Sequence, residues 1–283
     1  MAARTPEVVL DGLVFPEGPR WHDERLVFSD MHDYRVLALD PASGAAETLF
    51  ELDTQPSGLG WLPDGRMLVV SMVDRRVMRV ENGALVEHAN LFDLAPWWCN
   101  DMVVDGHGRA FVGNFGFDMY GNGHPRKTNV VRVDPDGTAV SAAEDLGFPN
   151  GMVVTPDGNT LIVGESFGGA LVAFRIADDG SLHDRRVFAQ LDGAVPDGIC
   201  LDAEGAVWIA CPLSNRCLRV ADGGKVLDEI AIGRGTFACM LGGTDRSTLF
   251  ICTAEAHDPA SARAVPAGRI EAVTVDVPGA GYP

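Results

Sequence analysis

The chain contains no run of Lys and Arg residues, no long apolar segment and no closely spaced pair of cysteines. It carries 22 basic side chains against 40 acidic ones, a formal net charge of −18. We therefore expect neither nucleic acid nor a membrane surface as a partner, because both need clustered positive charge on the protein. No stretch is long enough to span a membrane, and the first residues lack the apolar core of a signal peptide. These absences predict a cytoplasmic protein, and they leave its oligomeric state open.

The cysteines have no spacing typical of a metal site or a disulfide framework. The six are Cys99, Cys200, Cys211, Cys217, Cys239 and Cys252. None forms a C-x-x-C pair, and most have apolar neighbours, so we predict reduced thiols buried as small hydrophobic groups.

What the chain does have is a repeat. Six similar segments begin at residues 16, 56, 99, 149, 196 and 237, each with an apolar run, a turn and a second apolar run. Their spacing of roughly 40 to 50 residues is the period of one propeller blade. Further strand-like runs, such as residues 35–40, lie between the units, which gives four strands per unit. Helical periodicity is absent over ten or more residues, and the 33 Gly and 17 Pro suit a turn-rich β chain.

This repeat predicts an all-β fold, a six-bladed β-propeller with a central metal-binding channel. A β-sandwich would not require six similar units. We expect residues 1–283 to form a single domain. Its ring would be closed by an N-terminal strand at about 7–12 and a C-terminal strand at about 269–277, both in the last blade.

Equivalent positions in successive units should point at one axis, because the innermost strand of each blade starts at the channel rim. The second residue of each unit is, in order, Glu17, Ser57, Asn100, Asn150, Asp197 and Ala238. Four of these are oxygen donors, which would repel one another without a counter-charge. Taken singly, Asn150 has a simpler interpretation, since Pro and Gly on either side of it predict a turn. As a set, Glu17, Asn100, Asn150 and Asp197 predict the ligands of a hard divalent cation.

Calcium is the first candidate for that cation, because an oxygen shell of carboxylates and amides suits it. Magnesium, manganese, zinc and iron(II) are the alternatives. Zinc is disfavoured because neither His nor Cys joins the set, apart from the adjacent Cys99.

Four stretches resemble the motifs of a known family. They are "FPEGPRW" (15–21), "CND" (99–101), "PNGMVVTPDG" (149–158) and "VPDGICLD" (195–202). They are similar to the senescence marker protein/gluconolactonase family, the regucalcin-like lactonases, and the likeness covers essentially the whole chain. Membership implies one catalytic divalent ion on the propeller axis, held by Glu17, Asn150 and Asp197. It also implies that Asn100 contacts the substrate or the metal and that Asp197 is the acid/base.

The predicted function is a divalent-metal-dependent lactonase of the gluconolactonase type, with a small lactone as substrate. A cation polarises an ester carbonyl, and Asp197 beside it can take a proton from the attacking water. A related metal-dependent esterase or organophosphate hydrolase is one alternative. A non-catalytic calcium-binding propeller is another. A strictosidine-synthase-like propeller is disfavoured because it gives the acidic quartet no purpose.

One position departs from the family pattern. Sugar-lactone members often carry Arg two residues before the Asn aligned with Asn100, whereas this chain has Trp98. The substrate would then be less hydroxylated than gluconolactone, or held by stacking, unless Trp98 and Trp97 only pack the rim. With Asn100 and Trp98, the substrate-binding candidates are Asn114, Phe115, Glu165 and His257. His257 has a simpler interpretation, because a lone His is more typical of a loop or surface residue. The Gly-rich segment 118–128 predicts a loop over the site.

Overall fold

Strands dominate the computed structural model, which describes residues 4–282. They form six four-stranded antiparallel sheets. The first strands of the six sheets contact one another in circular order around the molecule, so they are the innermost strands of a ring. The sequence-based prediction of an all-β, six-bladed propeller is confirmed.

Five of the sheets each use four consecutive strands. The first contains β2 (Pro16–His22), β3 (Arg25–Asp30), β4 (Arg35–Asp40) and β5 (Ala45–Glu51). The second contains β6 (Pro56–Trp61), β7 (Met67–Ser71), β8 (Arg76–Glu81) and β9 (Ala84–Asn90). The third contains β10 (Cys99–Val104), β11 (Ala110–Asn114), β12 (Thr128–Val133) and β13 (Ala139–Leu146). The fourth contains β14 (Pro149–Val154), β15 (Thr160–Glu165), β16 (Ala170–Ile176) and β17 (Leu182–Gln190). The fifth contains β18 (Ile199–Leu201), β19 (Val207–Cys211), β20 (Arg216–Val220) and β21 (Val226–Ala231).

The sixth sheet joins the two ends of the chain. Three of its strands are β22 (Gly235–Gly242), β23 (Thr248–Ala254) and β24 (Gly268–Thr274). The outer strand is β1 (Glu7–Leu13), which pairs antiparallel with β24. The N-terminal strand therefore fills the edge of the last sheet, and backbone hydrogen bonds close the ring.

Glycine lets the innermost strands approach each other closely. A Cβ on Gly151 would lie 2.5 Å from the backbone nitrogen of Ile199, and one on Gly198 would lie 2.5 Å from the Cβ of Ala238. Real Cβ atoms do not pack at such distances, so a larger residue at either position would push neighbouring sheets apart. Each of these glycines directly follows a predicted ligand, Asn150 or Asp197.

The turn predicted around Asn150 is wrong. Asn150 and Gly151 lie inside β14, and the pairing of β14 with β15 shifts register between Pro149 and Met152. Such a shift is what a β-bulge produces, and a bulge re-aims a side chain without ending the strand. The backbone nitrogen of Gly151 donates to the carbonyl of Asp197 at 3.2 Å, across to the next sheet. The Pro-Asn-Gly sequence thus serves inter-sheet contact rather than chain reversal.

Helix is scarce in the described residues. A single 3₁₀ turn covers Met31–Asp33, and α1 covers Pro259–Ala264, where the Asp258 side chain accepts a hydrogen bond from the Ser261 backbone nitrogen at 2.9 Å. Within residues 4–282, no helix is long and apolar enough to cross a membrane. The cytoplasmic location stays a prediction.

The core consists of apolar layers between neighbouring sheets. One layer joins the second and third sheets through side chains such as Leu68, Met102 and Val112. Another joins the fifth and sixth sheets around Trp208 and Phe250. All six cysteines are buried and free, as predicted. Five belong to these two layers, and Cys211 belongs to the layer between the fourth and fifth sheets.

Candidate active site

The four predicted oxygen donors lie together at one cavity. Glu17, Asn100 and Asn150 are the second residues of β2, β10 and β14, and Asp197 comes two residues before β18. All four line a cavity of about 170 Å³. Because each occupies the same place in a different sheet, the ring symmetry brings together side chains that are up to 180 positions apart in sequence. These are the residues that could hold a cation.

A chain of hydrogen bonds orients the two amides. The Nδ2 of Asn100 donates to the Oδ1 of Asn150 at 2.9 Å, and the hydroxyl of Ser57 donates to the Oδ1 of Asn100 at 3.3 Å. The Nδ2 of Asn150 donates to the Oγ of Ser166 at 3.2 Å, and that hydroxyl donates to the Pro196 carbonyl at 2.7 Å. The amides are therefore fixed before any ligand arrives, which lowers the entropic cost of binding one.

The two carboxylates lie in an environment that disfavours their charge. Burial raises the pKa of Glu17 to about 8, and the nearby Asp101 adds to the rise. Burial also raises the pKa of Asp197 well above its usual range, with the charge of Glu17 acting in the same direction and a hydrogen bond from Asn150 opposing it. Glu17 accepts a hydrogen bond from the Gly18 backbone nitrogen at 2.8 Å. Two such groups must bind protons or a cation to share this cavity.

A third buried carboxylate nearby does have a cationic partner. Arg20 on β2 donates from Nη2 to the Oδ1 of Asp101 at 2.6 Å and also to the carbonyl of Met102, while Nη1 donates to the carbonyl of Pro19 at 2.8 Å. Arg20 is 3% exposed and Asp101 is 5% exposed. Burial raises the pKa of Asp101, and Arg20 opposes that rise. This pair was missed from the sequence, because "PEGPRW" and "CND" do not reveal that they meet.

Besides Asn100, two of the predicted substrate-binding residues line the cavity. Phe115 follows β11, and His257 precedes α1. Trp98 lies behind the cavity wall, where its ring centroid is 6.3 Å from that of Phe115 and 5.7 Å from that of Tyr120. Trp97 stacks beside it, with ring centroids 6.3 Å apart. Trp98 is thus placed to support the residues that face a ligand.

The structure does not bring Asn114 or Glu165 to the cavity. The side chain of Asn114 is fully buried, donates to the carbonyl of Asn129 at 2.9 Å and accepts from Thr128 at 2.6 Å. Glu165 pairs with Arg185 and accepts from the Gly147 backbone nitrogen at 2.7 Å. The hydrogen-bonding capacity of both side chains is used to join neighbouring strands and loops, which corrects the expectation that they contact substrate.

Most of the residues that line the cavity are apolar, and the sequence contains a signal for them. Phe15, Phe148 and Val195 line the cavity, and each stands two residues before a predicted ligand. Trp98 has the same place in its unit. The repeat that identified the oxygen donors therefore also marks an apolar position beside each of them. The lining residue Tyr120 comes from the Gly-rich segment that was predicted to cover the site.

Ser166 lies in a G-x-S-x-G sequence, residues 164–168, which in serine hydrolases forms a sharp strand-to-helix turn. Here the segment connects β15 to β16, so a hairpin replaces that turn. The Ser166 hydroxyl donates a hydrogen bond to the Pro196 carbonyl at 2.7 Å. The same hydroxyl accepts a hydrogen bond from the Nδ2 of Asn150 at 3.2 Å, so it is already engaged on both sides.

Comparison with known proteins identifies the family and the fold. The family model described as SMP-30/gluconolactonase/LRE-like region matches residues 15–255. The chain is 30% identical to pentonolactonase of Haloferax volcanii over 264 residues, 87% of this chain and 84% of that protein. It is 29% identical to 6-deoxy-6-sulfogluconolactonase of Pseudomonas putida, over 98% of this chain and 96% of that protein. The crystal structure of regucalcin, a calcium-binding protein from Agrobacterium tumefaciens, has the same fold (TM-score 0.83, 21% identity, 100% of this chain and 99% of that chain).

The family match begins at Phe15, in the first motif, and ends at Glu255, after the last inner pair of strands. It therefore includes all four oxygen donors and the inner strands of all six sheets. The resemblance inferred from the motifs is confirmed, and the chain belongs to the SMP-30/gluconolactonase/LRE-like family.

Proposed function

We propose that the protein is a divalent-cation-dependent lactonase that opens a small lactone to its hydroxy acid. One observation carries the proposal: a buried carboxylate, Glu17, and a partly buried one, Asp197, meet two oriented amides in a single cavity, and no Arg or Lys among the described residues is hydrogen-bonded to either carboxylate. The relatives named pentonolactonase and sulfogluconolactonase support lactones as the substrate class.

The residues present fit a hard divalent cation. Glu17, which is buried, and Asp197, which is partly buried, supply two carboxylates that have no hydrogen-bonded cationic partner among the described residues, and Asn150 supplies a neutral oxygen. Only two members of the set are carboxylates and the other two are amides; within residues 4–282 no three His, Cys, Asp or Glu side chains are grouped as they would be in a zinc site. The neighbouring Cys99 is fully buried, and burial raises its pKa to about 12. An oxygen shell of this kind suits calcium better than zinc, and magnesium, manganese and iron(II) are the other candidates.

In this proposal Glu17, Asn150 and Asp197 would hold the cation, and Asn100 would contact either the cation or the lactone. When bound, the cation supplies polarisation of the ester carbonyl and charge for the developing oxyanion. Asp197 accepts a proton from water as the water oxygen attacks the carbonyl carbon. The ring C–O bond then breaks, and Asp197 returns the proton to the leaving oxygen. The hydrogen bond between Asn100 and Asn150 keeps the two amide side chains oriented during these steps.

Removal and replacement of the cation tests the proposal. The protein is treated with a chelator, single cations are restored in turn, and a lactone panel is assayed by proton release. We expect hydrolysis to disappear on chelation and to return with calcium or another oxygen-preferring cation. Hydrolysis that persists after complete chelation would contradict the proposal. Faster turnover of phosphotriesters than of any lactone, or cation binding without hydrolysis, would favour one of the two alternative functions.

A further inference from the structure

Four phenylalanine rings form the inner wall of the cavity, three in the connections next to β2, β11 and β14 and one on β22. They are Phe15, Phe115, Phe148 and Phe237, each at most 8% exposed. Phe15 packs edge-on against Phe237 with ring centroids 4.7 Å apart, and Phe115 packs the same way against Phe148 at 4.6 Å. Because each ring is held by another ring, the wall is rigid and offers an apolar surface to whatever enters.

Polar groups that could recognise a substrate hydroxyl are few. Among the described residues that line the cavity, none is Lys or Arg. Beyond the four oxygen donors, the polar side chains of the lining are Ser166, Tyr120 and His257. The Ser166 hydroxyl is already used by Pro196 and Asn150. A sugar lactone carries several hydroxyls, and each one buried without a partner weakens binding by about tenfold or more.

The mouth of the cavity is also apolar. Phe167 is 52% exposed and Leu213 is 80% exposed, although both line the cavity. Tyr120 is 36% exposed there, and its ring packs against Trp98 and Phe115. Exposed apolar side chains grouped beside a cavity mark a surface that a ligand covers. An apolar group that extends from the lactone ring would cover them.

We propose that the substrate is a lactone with an apolar alkyl or aryl substituent, and that the cavity discriminates against polyhydroxylated sugar lactones. This inference rests on the proposed lactonase function and adds the substrate class. The ester end lies among the oxygen donors, and the substituent lies against the phenylalanine wall and reaches the rim formed by Tyr120, Phe167 and Leu213.

Kinetics on a matched lactone panel test the inference. With the cation-loaded protein, kcat/KM for dihydrocoumarin and δ-decanolactone should exceed kcat/KM for D-glucono-δ-lactone by about 100-fold or more. This is the product of two losses of about tenfold, one for each of two hydroxyls buried without a partner. A ratio near one, or a preference for the sugar lactone, would overturn the inference while leaving the lactonase function intact.

Binding of lactams separates the two proposals if nothing is hydrolysed. The probes are 3,4-dihydro-2-quinolinone and glucono-δ-lactam, measured by titration calorimetry on the same protein. Tighter binding of the quinolinone, with a negative heat-capacity change, supports the apolar site even if lactonase activity is absent. Tighter binding of the sugar lactam overturns it.

A rim substitution adds a residue-level test. Leu213→Ser should lower the ratio of δ-decanolactone to gluconolactone kcat/KM by about threefold to tenfold, because a buried contact with the alkyl chain is lost. Val226→Ser is the matched control, since Val226 is 50% exposed on β21 and does not line the cavity. An equal change of the ratio in both variants would contradict a role for the rim.

Discussion

Within residues 4–282, Asp101 forms a hydrogen bond with a cationic side chain, whereas Glu17 and Asp197 do not. Asp101 receives a hydrogen bond from the guanidinium of Arg20 at 2.6 Å, so its counter-charge comes from the chain itself. Glu17 and Asp197 line the cavity, and their largest charge interactions in this structure are repulsive. The chain evidently contains the means to neutralise a buried acid a few residues away. Among the described residues, no such partner is hydrogen-bonded to Glu17 or Asp197, and this difference is the basis of the proposed cation site.

The largest expected effect comes from removing one of the unpaired carboxylates. Asp197→Asn should lower kcat/KM on the preferred lactone by about 10³-fold, because general-base assistance and a ligand charge are lost together. The protein should remain folded, since the substitution removes a charge that burial disfavours. Steady-state kinetics and circular dichroism measure the two outcomes.

The control is Asp192→Asn, which changes an exposed carboxylate five residues away. It should have near-normal activity. An Asp197→Asn variant as active as this control would remove Asp197 from the mechanism.

Breaking the paired set should act on stability. Arg20→Met leaves Asp101 buried without its cation, and we expect the free energy of unfolding to fall by about 3–5 kcal/mol. The double variant Arg20→Met/Asp101→Leu should recover most of that loss, because both charges are gone. Urea unfolding at fixed pH measures all three proteins. A loss below about 1 kcal/mol in the single variant would mean that Arg20 does not neutralise Asp101.

Cation binding should stabilise the unpaired set and leave the paired one unaffected. Calcium added to chelated protein at a hundredfold excess over Kd should raise the free energy of unfolding by about 2.7 kcal/mol. Glu17→Gln should abolish most of this gain, and the control Asp192→Asn should keep it. Thermal unfolding with and without calcium provides the measurement. Equal stabilisation of wild type and Glu17→Gln would place the cation elsewhere.

The smallest expected effect, at most about 1.4 kcal/mol per pH unit, is a pH dependence of the stability of the cation-free protein. The pKa of Glu17 rises from an ordinary 4.5 to about 8 in the folded state. Between these values the folded chain holds a proton that the unfolded chain has released, so the free energy of unfolding falls as pH rises. Glu17→Gln should flatten this slope in urea titrations between about pH 5 and 8. A wild-type slope of opposite sign, absent from the variant, would contradict the raised pKa.

The repeat made the fold and the oxygen donors predictable, because a propeller converts equal sequence position into a common axis. Asn100 and Asn150, fifty residues apart, could be aligned as a pair and are in fact hydrogen-bonded. Asn114 and Glu165 were harder, because they end inner strands next to the cavity but their hydrogen bonds go to neighbouring strands. Sequence position gives the sheet and the level along the channel, whereas the direction of a side chain depends on partners elsewhere in the chain.

The Arg20–Asp101 pair illustrates the same limit. Arg20 belongs to the first sheet and Asp101 to the third, so their contact depends on how the ring brings the inner strands together. Elsewhere in the ring, inner strands approach closely at glycines such as Gly151 and Gly198, and the sequence suggested that Gly151 was a turn residue. A turn signal and a close-packing signal use the same residue type, and only the ring distinguishes them.

The pairing of β1 with β24 has a consequence for how the protein is made. The strand at residues 7–13 pairs with the strand at residues 268–274, so the residues between them must be synthesised before the sixth sheet can be completed. Until then β1 is an unpaired edge that another chain could capture. The contact also has a long sequence separation, which is typical of slow folding. The pairing of β24 with β1 is thus the step that completes the sixth sheet and closes the ring.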